Sequence, residues 1–328
     1  MLPTTSGRRS SQAIRSTSLG TLLSVTIVLI IVAVPIGLWL AYRLFGSDRE
    51  PAYEGPQVRP IRVPGRSVFV DEREFFVREI GPIDAPTLVL AHGWSFDGEM
   101  NFFSIIPELS QRYRLIIPDH RNHGKSDRIR GPFDIEDLAT ELEGVLTALG
   151  HERVNLFGYS MGGMAAQVFA HRHPERVDRL ILASTAAYPI DRFRILVRFS
   201  FWLARAVARV SKKEAAMFTY RYLLRHELID TSTQRWMWAA LLNRDPTLFY
   251  ESGNAILRFD AREWVGEISV PTMVIIPGRD EVVPVRAQRD LAAGLADPVV
   301  IEIEDGGHAS VLSRPEVYVK AIDEFLDG

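Results

Sequence analysis

Residues Gly158-Tyr159-Ser160-Met161-Gly162-Gly163 constrain this 328-residue chain more than any other stretch. They follow an apolar run at 154–157 that suits a buried strand, and they precede 164–170 (MAAQVFA), which suits a helix. A serine between strand and helix, with glycine two residues before and two after, marks a sharp turn that presents the hydroxyl at a sheet edge. Glycine is required because a side chain at 158 or 162 collides with neighbouring backbone in so tight a turn. The helix start beyond the serine offers unpaired N–H groups to a developing negative charge. So short a pattern arises by chance, and its weight depends on whether the rest of the chain supplies partners.

Composition removes several classes. A net charge of −3 argues against a nucleic-acid binder. There is no cysteine, so disulfides, thiolate metal sites and a cysteine nucleophile are excluded. No metal-ligand spacing, phosphate loop or dinucleotide fingerprint is present, so no metal or cofactor is expected. The pair His171 and His173 sits at the end of the helix after the serine, where cations suit the helix dipole.

In chain order, residues 1–20 form a polar tail with Arg8, Arg9 and Arg15. Residues 21–42 (TLLSVTIVLIIVAVPIGLWLAY) carry no charge and are long enough to span a bilayer at about 1.5 Å per residue. A single-pass anchor is expected there, with a cleaved signal peptide and secretion as the alternative. The basic residues before it favour a catalytic domain on the non-cytoplasmic side. Residues 43–65 hold Pro51, Pro56, Pro60 and Pro64, and proline at that density predicts a semi-rigid spacer.

From residue 66 the pattern alternates. Residues 67–71 and 74–80 suit an antiparallel pair. The runs 87–91, 115–118, 154–157 and 180–183 suit buried strands, with helices near 98–110 and 134–149. Residues 187–268 contain no strand run and suggest helices. The strand pattern resumes at 272–276 and 299–303, followed by helices near 285–295 and 315–327. The expectation is an α/β fold with a mostly parallel sheet, in two parts (66–186 and 269–328), interrupted by an all-helical cap (187–268) above the carboxyl ends of the strands.

A serine hydroxyl needs a base to take its proton, and the base needs a third group to fix its tautomer. Asp280, in Pro277-Gly278-Arg279-Asp280, follows the strand at 272–276. His308, in Gly306-Gly307-His308, follows the strand at 299–303. Both fall on loops at the sheet edge where Ser160 stands. His92-Gly93-Trp94 follows the strand at 87–91, and the Trp94 and Met161 N–H groups are the natural donors to a tetrahedral oxyanion. His92 is expected to shape that loop rather than take part in catalysis. The run Asp119-His120-Arg121-Asn122-His123-Gly124 suggests a hydrogen-bonded structural loop.

Together these blocks resemble the α/β-hydrolase superfamily over roughly residues 66–328, in the chain order Ser, Asp, His. The resemblance is closest to capped serine esterases and lipases, including membrane-anchored monoacylglycerol-lipase-like members. It implies cleavage of carboxylic esters of apolar acyl substrates through an acyl-enzyme. Because the superfamily runs several reactions on one frame, C–C bond hydrolysis, perhydrolysis and a non-catalytic binding role remain alternatives. Tyr159 in the elbow and Trp202, Trp236 and Trp238 in the cap are candidates for a substrate pocket, with the tryptophans also suited to a cap core. Arg194, Arg198, Arg205 and Arg209 form a basic stripe that suggests either anionic lipid contact or a solvated face.

Overall fold

The computed structural model describes residues 51–188, 202, 205, 212–225 and 231–328. The chain divides into two units, Met1–Ala52 and Tyr53–Gly328. The run at 21–42 lies outside the described residues, as do Arg194, Arg198 and Arg209 of the basic stripe. Among the described residues, no helix is long and apolar enough to cross a membrane.

The second unit is built on an eight-stranded sheet. Its strands are β1 (Gly65–Val70), β2 (Arg73–Ile80), β3 (Thr87–Ala91), β4 (Arg114–Pro118), β5 (Val154–Tyr159), β6 (Val177–Ala183), β7 (Thr272–Pro277) and β8 (Val299–Ile303). Their spatial order is β1-β2-β4-β3-β5-β6-β7-β8. β1 and β2 pair antiparallel, as the sequence suggests, and β2 pairs antiparallel with β4. The rest is parallel. The β1–β2 turn is made at Asp71, whose φ of 54° is left-handed. In the inner parallel strands apolar side chains are buried on both faces, the reason those strands read as continuous hydrophobic runs.

Helices α1 (Gly98–Phe102), α2 (Ile106–Leu109), α3 (Ile135–Ala148), α4 (Met161–Arg172), α8 (Val285–Gly294), α9 (Ser310–Ser313) and α10 (Pro315–Asp327) belong to the body. The single helix expected near 98–110 is two short ones. Pro107 stands in the first turn of α2, where its missing N–H costs nothing; inside one continuous helix it would have removed a bond.

Between β6 and β7 the described residues form α5 (Lys212–Arg225), α6 (Gln234–Leu242) and α7 (Pro246–Ile256), with no strand among them. α5 and α6 pack Ala216, Tyr220, Leu223, Met237, Trp238 and Leu241 into a small core of their own, which also takes in Met100 of the body.

Over its described part, the proline-rich stretch lies against cap and body. Val58 N–H donates to Ser232 O at 2.7 Å. The Gln57 side chain donates to Thr231 O at 3.0 Å and accepts from Arg235 N–H at 3.0 Å. Arg59 Nε donates to Glu99 at 3.0 Å, and Val63 is buried. Prolines forbid a helix here, but an extended strap with side-chain anchors still finds partners on cap and body.

Candidate active site

The sheet changes winding direction between β3 and β5: β4 lies on one side of β3, while β5 and β6 run the other way. In open α/β sheets such a switch point opens a crevice at the carboxyl ends of the strands. Trp94 follows β3 and Ser160 follows β5, so both flank it.

Ser160 has φ 53° and ψ −116°, a strained conformation for a non-glycine residue. It is held there by its N–H donating to Ala183 O at 2.9 Å and by Thr185 Oγ1 donating to its carbonyl at 2.8 Å. The flanking glycines have the expected reason. A Cβ at 158 would lie 2.6 Å from Gly162 O, and one at 162 would lie 2.1 Å from Ala91 O. Met161 N–H is the first of α4 and by position has no intrahelical acceptor.

Asp280 and His308 are brought together by β7 and β8. His308 Nδ1–H donates to the Asp280 carboxylate at 2.9 and 3.1 Å. The Asp280 side chain is fully buried, that of His308 only partly exposed. Asp280 also accepts from Val282 N–H, Val283 N–H and Gln288 Nε2 at 2.8–2.9 Å. That many donors fix the orientation of the carboxylate. With Nδ1 protonated against Asp280, Nε2 is left as the basic nitrogen.

The His308 backbone is fastened to the elbow. Tyr159 Oη and Ser184 Oγ both donate to the His308 carbonyl, and the Tyr159 and His308 rings lie 5.6 Å apart. Among the described residues, no hydrogen bond joins Ser160 Oγ to His308.

The loop after β3 is set by a buried histidine cluster. His92 Nδ1–H donates to Gly93 O at 2.7 Å, and Nε2 accepts from His120 N–H at 2.9 Å. Those roles require a neutral ring, and burial, with His120 and His123 nearby, pushes the His92 pKa well down. Gly93 N–H donates to Asn101 Oδ1 at 2.8 Å. The carbonyl and N–H of one trans peptide point in opposite directions. A histidine that fixes Gly93 O therefore also fixes the direction of Trp94 N–H. The Trp94 indole donates to Phe249 O at 2.6 Å and stacks on Phe249 at 4.3 Å, tying this loop to cap helix α7.

The loop at 119–124 is held by hydrogen bonds and ion pairs. Asp119 accepts from Arg78 at 2.6 Å, from Gly98 N–H at 3.0 Å and from Lys125 N–H at 2.9 Å. Arg121 pairs with Glu141. Asn122 takes a left-handed φ of 67°.

The pocket candidates separate. Tyr159 is buried against Phe102 and His308 and holds the His308 loop, a role its place in the elbow did not reveal. Trp238 is in the cap core, edge-on to Tyr220. Trp202 is 64% exposed. Trp236 alone of the four lines a described cavity, and that cavity is not bounded by Ser160. Arg205 of the basic stripe is half-buried and paired with Glu251 at 3.1 Å, so it faces the protein rather than an outer surface. Sequence reasoning missed Asn101, Ser184 and Gln288. Each acts through a contact with a distant or unpatterned residue, and none carries a local signal.

Comparison with known proteins agrees with this architecture. The alpha/beta hydrolase fold family matches residues 86–315. A pimeloyl-[acyl-carrier protein] methyl ester esterase from Chromobacterium violaceum is 29% identical over 264 residues, 77% of this chain and 98% of that one. The enol-lactonase from Burkholderia xenovorans LB400 superposes with a TM-score of 0.70 at 26% identity, covering 80% of this chain and all of that one. A membrane phospholipase A described as a bacterial virulence factor superposes at 0.68 with 23% identity, covering 96% of this chain and 98% of its own. With the family matched over most of its length and the sheet, elbow and loops in place, the chain belongs to the alpha/beta hydrolase fold family.

Proposed function

We propose that this protein is a serine hydrolase that cleaves carboxylic ester bonds of apolar, acylglycerol-like substrates, held at a membrane by residues 21–42. The observation that carries the reading is the buried Asp280 carboxylate on His308 Nδ1, on a loop tied to the elbow that presents Ser160. His308 Nε2 takes the proton of Ser160 as Oγ attacks the ester carbonyl. The N–H groups of Trp94 and Met161 hold the oxyanion, and Asp280 stabilises the imidazolium. His308 then protonates the leaving alkoxide. Water, deprotonated by the same nitrogen, attacks the acyl-enzyme and releases the acid and Ser160.

Two relatives described as acting on a methyl ester and an enol-lactone support ester chemistry over C–C bond cleavage. The anchor rests on the charge-free run at 21–42. The test is turnover of p-nitrophenyl and glycerol esters from two to sixteen carbons by the purified chain. Turnover that rises with acyl length and disappears in Ser160→Ala supports the reading. A wild type inert toward the whole panel refutes it.

A further inference from the structure

Two adjoining cavities share Arg59 and Lys125, and neither is lined by Ser160, Asp280 or His308. The larger, about 410 Å3, is enclosed by the strap, the loop after β3, the turn after Asn122 and the end of α6. The smaller, about 310 Å3, continues along the strap past Arg62 to Phe76. Together they have the volume of a ligand site.

Cations dominate their lining: Arg59, Arg62, Arg78, Lys125, Arg128 and Arg244 line them with Asp97, while Glu99, Asp119 and Asp245 act on Arg59, Arg78 and Arg128. Arg78 is matched by Asp119 and Glu99, and Arg59 by Glu99. Arg62 and Lys125 are exposed, with no carboxylate within 4.0 Å of either among the described residues. Lys125 Nζ instead lies 4.3 Å from the centre of the Phe76 ring. Arg128 directs its guanidinium at the carbonyls of His123, Gly124 and Ser126. Burial pushes its pKa down, although Asp119 and Asp245 pull the other way. The facing wall is apolar, formed by Phe96, Met100, Trp236, Ala239 and Leu241.

We propose that this groove binds the phosphate headgroup of an anionic amphiphile, with the acyl chain against the apolar wall. Convergent guanidinium and ammonium donors match a phosphate, whose three oxygens carry a charge of about −1.5 to −2. The groove goes beyond the ester-hydrolase reading by naming a headgroup class, and it rests on its own geometry rather than on the chemistry of Ser160. Ser95, Phe96 and Asp97 continue directly from Trp94 into its wall, so an occupant touches the loop that would carry an oxyanion donor.

The test uses the full chain carrying Ser160→Ala, so that binding is measured without turnover. Tryptophan fluorescence and calorimetry follow three probes below their micelle concentrations: 1-dodecanoylglycerol 3-phosphate, uncharged 1-dodecanoylglycerol and inorganic phosphate. The phosphorylated lipid is expected to bind at least tenfold tighter than either other probe. Arg62→Glu with Lys125→Glu should weaken it at least tenfold, while Lys125→Arg retains it. Both sites are exposed, and an unchanged melting temperature shows that the variants fold. Equal affinity for the uncharged lipid overturns the proposal, as does equal affinity for phosphate alone, or binding unchanged in the double variant. Ester turnover by the wild-type chain is scored separately, so the hydrolase reading and the headgroup site fail independently.

Discussion

His92 is placed to orient the proposed oxyanion donor from a distance. It fixes Gly93 O, and through that peptide plane the Trp94 N–H. His92→Ala is expected to lower kcat by about 10- to 100-fold with KM changed less than threefold, somewhat less than removal of an oxyanion donor outright. His92→Asn, whose amide can donate to Gly93 O, should recover part of the loss. Steady-state kinetics on both variants checks this, and a loss confined to KM would contradict it. Asp97 gives a pH signature. Burial and the neighbouring Asp119 raise its pKa to about 6. An acid whose folded pKa exceeds its unfolded value near 4 binds more protons when folded, so stability falls as pH rises from about 4 to about 6. A rise of roughly two units corresponds to at most about 3 kcal/mol. Asp97→Asn keeps a side chain able to cap α1 and should raise the melting temperature at pH 8 but not at pH 4. Thermal unfolding at the two pH values decides it.

At the scale of elements, what the sequence made legible was whatever local sterics dictate. The elbow glycines could be assigned because backbone atoms leave no room for a Cβ at 158 or 162. Asp280 and His308 could be placed because each follows an apolar strand run in a parallel sheet, which puts both at one edge. The illegible parts depend on contacts between distant residues. Tyr159 reaches His308 across 149 positions, and Gln57 reaches Thr231 across 174, with no periodicity to announce either. The strap is the largest such difference. Its prolines do prevent a helix, yet Gln57 and Val58 bond to the segment that opens α6. Gln57→Ala removes a donor and an acceptor at once and should cost about 1–2 kcal/mol. Hydrogen exchange should quicken at residues 231–235 and stay unchanged at β5. Protection unchanged at 231–235 would show that the strap does not hold the cap.

For the whole molecule, the cap and the candidate site are mechanically joined. Trp94 bonds and stacks to Phe249 of α7, and Arg244 Nη1 donates to Ser95 O at 3.0 Å. A cap that grips the loop beside the proposed nucleophile can select substrates through that loop. At this scale the proposed anchor is testable as well. The full chain should sediment with membranes, and removal of residues 1–52 should release a folded, active unit. An unaltered distribution after that removal would contradict anchoring by 21–42.

The proposed reaction rests on Ser160 acting as a nucleophile activated by His308 and Asp280. The direct measurement is covalent labelling by a fluorophosphonate, followed by peptide mass mapping, beside ester turnover. One modified residue, Ser160, is expected, with no labelling in Ser160→Ala. Labelling and turnover should fall together, by about 10^4-fold, in Asp280→Asn, as loss of the tautomer-fixing carboxylate does in serine triads generally. Labelling at another residue, or full reactivity in Asp280→Asn, would contradict it.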